Sequence, residues 1–228
     1  MSRPRVVDFL FDYISSNAYL AWVKLLRMES DLDFTVRPVP VLFAGLLEAH
    51  GQLGPAEVRP KANWMGVNNL RKAALLGVPP NPPPFHPFTP PLALRVSSLP
   101  MEPVERRGLV TALLEAVWVR ELHVMDPDVV ARVAGEAGLD GPALVAAAGE
   151  PEAKARLRAE TDAAIERGVF GVPTMLDGDF LFWGFDDLPY LEMRLAGNDP
   201  LEKADTSRWS GPPRPAAMRR RLREAGPA

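Results

Sequence analysis

Residues 166–185, ERGVFGVPTMLDGDFLFWGF, constrain the fold more than any other stretch of the chain. The stretch begins as the end of a helix, because Gly168 is the residue expected just past a helix C-terminus. A short turn then leads through Pro173 into a predicted strand at 174–176. Asp177-Gly178 is a two-residue hairpin signal, because glycine readily takes a positive φ, and a returning strand follows it. Proline gives no N–H to a sheet, so Pro173 is expected at a strand start or an edge, and a tight turn there suits a cis peptide bond.

The first forty residues predict a strand, a helix and a second strand. Residues 5–13, RVVDFLFDY, form a short apolar run that indicates a central strand buried on both faces. Residues 15–17, Ser-Ser-Asn, are good N-cap residues, and apolar residues then recur at helical spacing. Residues 32–41 predict the second strand. Because such a βαβ unit in one sheet needs a crossover, its two strands are expected to be parallel.

The middle of the chain is mostly helical in pattern. Its proline-dense stretch at 78–92, VPPNPPPFHPFTPPL, is expected to be neither helix nor central strand and to lie extended over the surface. Helices are predicted at 43–50, 61–76, 103–122, 127–137, 142–148, 151–167 and 188–195.

This order of elements predicts an α/β protein, a thioredoxin-like fold with an α-helical insertion. Residues 1–41 and 166–198 would form the split thioredoxin-like domain, and residues 42–165 the helical insertion lobe. Residues 199–228 form a basic, proline-bearing C-terminal tail, for which a frayed and solvated end is the simplest interpretation.

Composition excludes several classes of function. With 228 residues, 47% of them hydrophobic, and a net charge of -3, nothing indicates a nucleic acid or an anionic membrane as partner. The absence of cysteine excludes a disulfide, a thiolate metal site and thiol–disulfide exchange by the chain itself. Three scattered histidines, His50, His86 and His123, show no metal-like spacing, so no metal site is expected. The start of the chain is not a signal peptide and no segment is long enough to span a membrane, so a cytoplasmic protein is expected.

In a thioredoxin-like fold the active site lies where the first strand meets the first helix, opposite the proline loop. Here that junction is residues 15–18, Ser-Ser-Asn-Ala. A helix N-terminus offers about half a positive charge together with free N–H groups, which suits an anion. Ser15 could donate its hydroxyl to the sulfur of a thiolate that is supplied by another molecule. Ser15 could also simply cap the helix, and the two roles are compatible.

Four segments then carry a resemblance to a known family, namely residues 7–15 (VDFLFDYIS), 19–21 (YLA), 170–174 (FGVPT) and 183–186 (WGFD). They resemble the 2-hydroxychromene-2-carboxylate isomerase family, which belongs to the DsbA-like and kappa-class glutathione transferase group. The resemblance covers most of the first 200 residues and is weakest in the inserted lobe. It implies the DsbA/kappa-transferase type of fold, glutathione as cofactor, a small aromatic substrate and a homodimer.

The resemblance also implies roles for individual residues. Ser15 falls on the family's catalytic serine, which contacts the glutathione sulfur, and Val172, before the expected cis-Pro173, would pair by its backbone with the cysteinyl part of glutathione. Asp186 would bind the γ-glutamyl amino group and Lys61 the glycyl carboxylate. The remaining implied residues are Gln52 and Asp187 for glutathione, and Trp64 and Asn17 for the substrate.

The chain departs from the family pattern at several of these positions. Ser16 replaces a proline and Ala18 a second serine, while Gln52 stands where asparagine is usual. Phe185 and Asp187 add an apolar ring and an extra negative charge where glutathione is expected.

These observations support three functional hypotheses. The first is a glutathione-dependent isomerase, in which a thiolate stabilised by Ser15 adds reversibly to an unsaturated aromatic carboxylate. The second is a kappa-like glutathione transferase that conjugates an electrophile. The third is a non-catalytic thioredoxin-fold protein that binds a ligand or partner in the same cleft.

Overall fold

Four strands form one mixed sheet in the computed structural model, which describes residues 5–79 and 81–204. The strands are β1 (Arg5–Phe11), β2 (Phe34–Pro40), β3 (Thr174–Asp177) and β4 (Phe180–Trp183), in the spatial order β2-β1-β3-β4. β1 runs parallel to β2 and antiparallel to β3, which pairs antiparallel with β4. The predicted parallel crossover and the predicted C-terminal hairpin are both confirmed.

The helices of the described ranges surround this sheet. They are α1 (Ser16–Asp31), α2 (Phe43–His50), α3 (Arg59–Leu76), α4 (Pro91–Ser98), α5 (Pro103–Trp118), α6 (Pro127–Glu136), α7 (Gly141–Gly149), α8 (Pro151–Glu166) and α9 (Leu188–Leu195). The architecture is a thioredoxin-like α/β fold with a helical insertion, as predicted. Within the described ranges, no helix combines the length and the apolar character that crossing a membrane requires.

β1 is buried on both faces, and this positions the helices. Phe9 packs against Trp22 of α1, with ring centroids 5.2 Å apart. On the opposite face, Leu10 belongs to a second apolar cluster with Leu46 of α2 and Ala164 of α8. Alternate side chains of one strand therefore supply two separate cores, as expected of a central strand.

The hairpin turn lies one residue later than the sequence indicated. Asp177 pairs with Phe180 as the last residue of β3, so the turn consists of Gly178 and Asp179. Gly178 takes the positive φ of 60° that glycine allows. Pairing of Asp177 with Phe180 leaves only two residues for the turn, and the Asp177 carboxylate also accepts hydrogen bonds from the guanidinium groups of Arg5 and Arg194, contacts that local sequence does not reveal.

Two helix predictions also need correction. The proline-dense stretch 78–92 was expected to contain no helix, yet α4 begins at Pro91. Proline is tolerated in the first turn of a helix, where its missing N–H would have no partner anyway. Pro80 of the same stretch lies outside the described residues. The helix predicted over 103–122 ends at Trp118 instead.

The predicted boundary between insertion lobe and thioredoxin-like domain, at 165/166, falls at the end of α8. Ala164 in the last turn of this helix packs with Leu10 and Leu176 of the sheet. The C-terminal part of α8 therefore covers the sheet directly. Of the predicted tail, only the first residues, with a short 3-10 turn at Pro200–Lys203, belong to the described part of the chain.

The approach of α6 to α7 gives a sharp test of the packing. A Cβ added at Gly141 would lie 1.8 Å from the carbonyl oxygen of Ala131, so Gly141→Ala forces the two helix backbones apart. We expect this substitution to destabilise the fold by about 3 kcal/mol or more in urea unfolding. Gly135→Ala is the matched control, because no atom lies within 4 Å of its added Cβ, and the control should be neutral or stabilising by up to about 1 kcal/mol. Equal unfolding midpoints for the two variants would contradict the close approach.

Candidate active site

Ser15 is the N-cap of α1, and its hydroxyl retains a free donor. Its Oγ accepts a hydrogen bond from the Ala18 N–H at 3.1 Å, and its own N–H donates to the Asp12 carbonyl at 3.1 Å. Accepting the Ala18 bond uses a lone pair of Oγ and leaves the O–H proton available. The capping role is thus confirmed, and it leaves the hydroxyl able to donate to an anion at the helix terminus.

The proline loop lies at the same end of the sheet. Thr174 pairs with Leu10, which places the preceding Pro173 beside the end of β1 that leads into α1. The Val172-Pro173 peptide bond is cis, as the sequence suggested, and Gly184 N–H donates to the Pro173 carbonyl at 2.8 Å. Within the described part of the chain, neither the N–H nor the C=O of Val172 forms a hydrogen bond. Val172 therefore offers one backbone donor and one backbone acceptor at this edge.

Helix α3 closes another side of the junction through two polar contacts to the first turn of α1. Asn69 donates from Nδ2 to Ser16 Oγ at 2.6 Å. Lys72 donates from Nζ to Asn17 Oδ1 at 3.0 Å and to Asp186 Oδ2 at 2.9 Å. Asn17, predicted to bind substrate, thus has its carbonyl oxygen bonded to Lys72 and its NH₂ group left to donate.

The turn after β4 contributes Phe185 and Asp187, which depart from the family pattern, and Asp186, which agrees with it. Phe185 is half-buried, packs against the main core, and lies under the Lys72 ammonium, 5.1 Å from its ring centroid. The Asp187 carboxylate accepts a hydrogen bond from Trp183 N–H at 2.8 Å. Both side chains are therefore engaged within the protein. Asp186 is 70% exposed and has one oxygen on Lys72, so its other oxygen is open to a ligand.

Three further predicted residues lie apart from this junction. Gln52 is exposed in the loop after α2, and Lys61 and Trp64 are exposed near the start of α3. Lys61 lies eleven residues before Lys72, which is close to three whole turns, so the two lysines share one side of α3 about 16 Å apart along its axis. The structure thus brings together Ser15, Asn17, Val172, Pro173, Asp186 and Asp187, and places Gln52, Lys61 and Trp64 towards the other end of α3.

Comparison with known proteins identifies the family. Residues 6–196 match the model of the DSBA-like thioredoxin domain. A 2-hydroxychromene-2-carboxylate isomerase of Sphingobium xenophagum is 32% identical over 201 residues, covering 84% of this chain and 98% of that protein. The isomerase of the same name from Pseudomonas putida is 31% identical over 205 residues, covering 89% and 99%. The chain belongs to the DsbA-like thioredoxin family and, within it, to the 2-hydroxychromene-2-carboxylate isomerase family.

A solved structure agrees with this assignment to the isomerase family. The structure of a 2-hydroxychromene-2-carboxylate isomerase aligns with a TM-score of 0.78 and 30% identity, covering 84% of this chain and 95% of that chain. The similarity spans the inserted helices as well as the sheet. The family resemblance noted in the sequence is confirmed.

Sequence reasoning missed four residues around the candidate site, namely Asp12, Asn69, Lys72 and His86. His86 lies in the proline-dense stretch, with Nε2 3.2 Å from the Ile14 carbonyl oxygen and its ring 5.5 Å from that of Trp118. Asn69 and Lys72 fall on the same side of α3 as Lys61, eight and eleven residues later, so helical periodicity from Lys61 was the available signal. Among the residues described, no three His, Asp or Glu side chains group in a way that could hold a metal ion.

Asp12 connects the end of β1 to the starts of α1 and α2. Its buried carboxylate accepts from Ile14 N–H at 3.1 Å and from Phe43 N–H at 3.0 Å. Burial raises the pKa of Asp12 to about 6, and the two backbone hydrogen bonds only partly oppose that rise. A charge is therefore held beneath the candidate site at neutral pH at a cost to folding.

This cost predicts a pH-dependent effect of Asp12→Asn. Because the pKa in the folded state lies above the unfolded value of 3.8, the folded state binds the extra proton between about pH 4 and 6. The free energy of unfolding of the wild type should therefore fall, relative to Asp12→Asn, by roughly 2 kcal/mol as the pH rises from 4 to 7. Urea unfolding of both proteins across this range measures the difference in their free energies of unfolding. Other titrating groups contribute almost equally to both proteins, so the difference reports on Asp12. A difference that does not change with pH would show that burial does not perturb Asp12.

Proposed function

We propose that this protein is a glutathione-dependent isomerase of the 2-hydroxychromene-2-carboxylate type. The observation that carries the proposal is the Ser15 hydroxyl, which caps α1 through a lone pair and keeps its proton free at the positive end of the helix. The family membership supports the same reaction class, because the relatives that match nearly their full length are named for it.

The residues at the junction fit glutathione. The unbonded N–H and C=O of Val172 suit antiparallel pairing with a peptide backbone, and the open oxygen of Asp186 suits an ammonium group. Lys61 is the residue expected near the glycyl carboxylate, with Gln52 close to it in the chain. When bound, glutathione supplies a thiolate that adds reversibly to an unsaturated aromatic carboxylate and then leaves.

The protein's own contribution is to stabilise negative charge on sulfur. Ser15 O–H and the first N–H groups of α1 would act on the thiolate as preorganised donors, so little reorganisation is needed during the reaction. Without cysteine, the chain has no thiol of its own for disulfide exchange. Trp64 and the NH₂ group of Asn17 are the groups we assign to the aromatic substrate. The homodimer and the cytoplasmic location stay predictions.

Glutathione binding is the first measurable consequence. Ligand at about 100 times its dissociation constant should stabilise the fold by roughly 2.7 kcal/mol, which appears as a rise of a few degrees in Tm. Thermal unfolding with and without glutathione, and with S-hexyl-glutathione, measures this rise. The absence of a shift with both ligands would contradict the proposed cofactor and favour the non-catalytic hypothesis.

Removing the Ser15 hydroxyl should lower turnover more than it weakens binding. Loss of one preorganised donor to a developing anion typically costs about a hundredfold in kcat, whereas KM for glutathione should change little. Ser15→Ala also loses the cap, at about 1 kcal/mol of stability, but Ser15→Gly loses only a few tenths. Both variants should nevertheless lose turnover equally in an isomerisation assay with 2-hydroxychromene-2-carboxylate.

The control for this comparison is Ser30→Ala at the far end of the same helix, where an exposed hydroxyl donates to the Arg27 carbonyl. Ser30→Ala should retain full turnover. Unchanged turnover in either Ser15 variant would refute the role of this serine. Following the glutathione concentration in the same assay separates the isomerase from a transferase, because only a transferase consumes glutathione.

A further inference from the structure

Lys72 is a buried cation at the candidate site. Lys72 is 5% exposed, and it is the only buried lysine among those whose side chains the structure describes. Lysine is almost never buried without a partner, because removing an ammonium from water is costly. Its position therefore requires an explanation from its contacts.

The ammonium of Lys72 joins two elements that are far apart in the sequence. It donates to Asn17 in the first turn of α1 and to Asp186 in the turn after β4. With the Phe185 ring close by, the three donors of the ammonium have two oxygens and an aromatic face around them. Lys72 is thus engaged by its own protein and acts on a ligand only through its partners.

The effect of Lys72 on Asp186 is to fix an otherwise mobile carboxylate. Asp186 is exposed, and an exposed carboxylate normally samples several rotamers. Here one oxygen is held by a buried ammonium, so the other keeps a defined direction at the edge of the site. The open oxygen of this fixed carboxylate suits the ammonium of a free α-amino acid group.

The spacing along α3 fits a ligand that ends in such a group. Lys61 and the Lys72–Asp186 pair lie at opposite ends of one side of the helix, about 16 Å apart. An extended tripeptide spans about 10–11 Å, and flexible side chains at both ends cover the remainder. A short peptide thiol would therefore meet a cation at one end and the ion pair at the other.

We propose that Lys72 is a positioning residue that makes the site selective for thiols bearing a free α-amino acid group, by holding Asp186 to receive the ligand's ammonium. This inference rests on the proposed glutathione site. It assigns the selectivity to a residue that contacts no ligand itself.

The test compares two ligands that differ by a single group. Glutathione carries the α-ammonium, and glutaryl-cysteinylglycine is the same molecule without it. In calorimetric titrations, the wild type should bind glutathione at least about tenfold more tightly than the glutaryl analogue. Lys72→Met keeps the length of the side chain and removes its charge. This variant should lose about tenfold in glutathione affinity and keep the affinity for the analogue.

The ratio of the two affinities separates positioning from a merely structural role. A structural role of Lys72 would weaken both ligands equally and leave the ratio unchanged, which would overturn the inference. Unchanged or tighter glutathione binding by Lys72→Met would also overturn it, because removing a competing cation alone strengthens the attraction of Asp186 for an ammonium. Lys72→Arg keeps the charge and should restore most of the selectivity.

Two variants complete the design. Lys24→Met removes an ion pair with Glu192 elsewhere on the surface and should leave both affinities as in the wild type. Asp186→Asn changes an exposed side chain and is expected to fold, so it tests the selectivity even if Lys72→Met does not fold. Asp186→Asn should lose the preference for glutathione. A wild type that binds neither thiol refutes the proposed function, whereas one that binds both equally refutes only the role of Lys72.

Discussion

The rest of the structure depends on the burial of β1 on both faces. Phe9 and its neighbours on one face form the core with α1, while Leu10 on the other face meets α2 and α8. A strand enclosed in this way can change direction only at its end, and the chain does so around the buried Asp12 carboxylate. The Asp12 carboxylate accepts one hydrogen bond from Ile14 N–H, in the turn to α1, and one from Phe43 N–H, at the start of α2. Ser15 stands at the N-terminus of α1 because of this turn.

The same junction concentrates polar groups that the core cannot accept. Donors from the first turn of α1, the ammonium of Lys72 and the carboxylate of Asp186 all meet at the edge of the sheet where the proline loop ends. Interactions between charges are stronger in such partly desolvated surroundings than in water, so each buried group needs a partner. Asn69 and Lys72 provide these partners from α3, and they thereby fix α3 against α1.

Local signals were enough to predict the sheet and the capping serine, because strand periodicity, N-cap chemistry and the Gly-Val-Pro turn act over a few residues. Long-range contacts decided what the sequence could not show. Asp177 is the last residue of β3, and Arg5 and Arg194 hold its carboxylate from distant parts of the chain. Pro91 starts a helix although proline more often interrupts one. In the sequence, nothing distinguishes Lys72 from a solvent-exposed lysine on a helix. Only the packing of α3 on α1 buries it.

The turn after β4 shows how tertiary contacts engage side chains whose partners the sequence does not reveal. From sequence, Phe185 and Asp187 are expected to add an apolar ring and a negative charge at the proposed glutathione site. In the fold, Phe185 joins the core beneath Lys72, and the Asp187 carboxylate holds the Trp183 N–H at the end of β4. Asp186 is exposed, and the Lys72 ammonium holds one of its oxygens and offsets its charge. Lys72 contacts both Phe185 and Asp186, so these three residues are coupled, and a change at Lys72 alters the electrostatic surroundings of the other two.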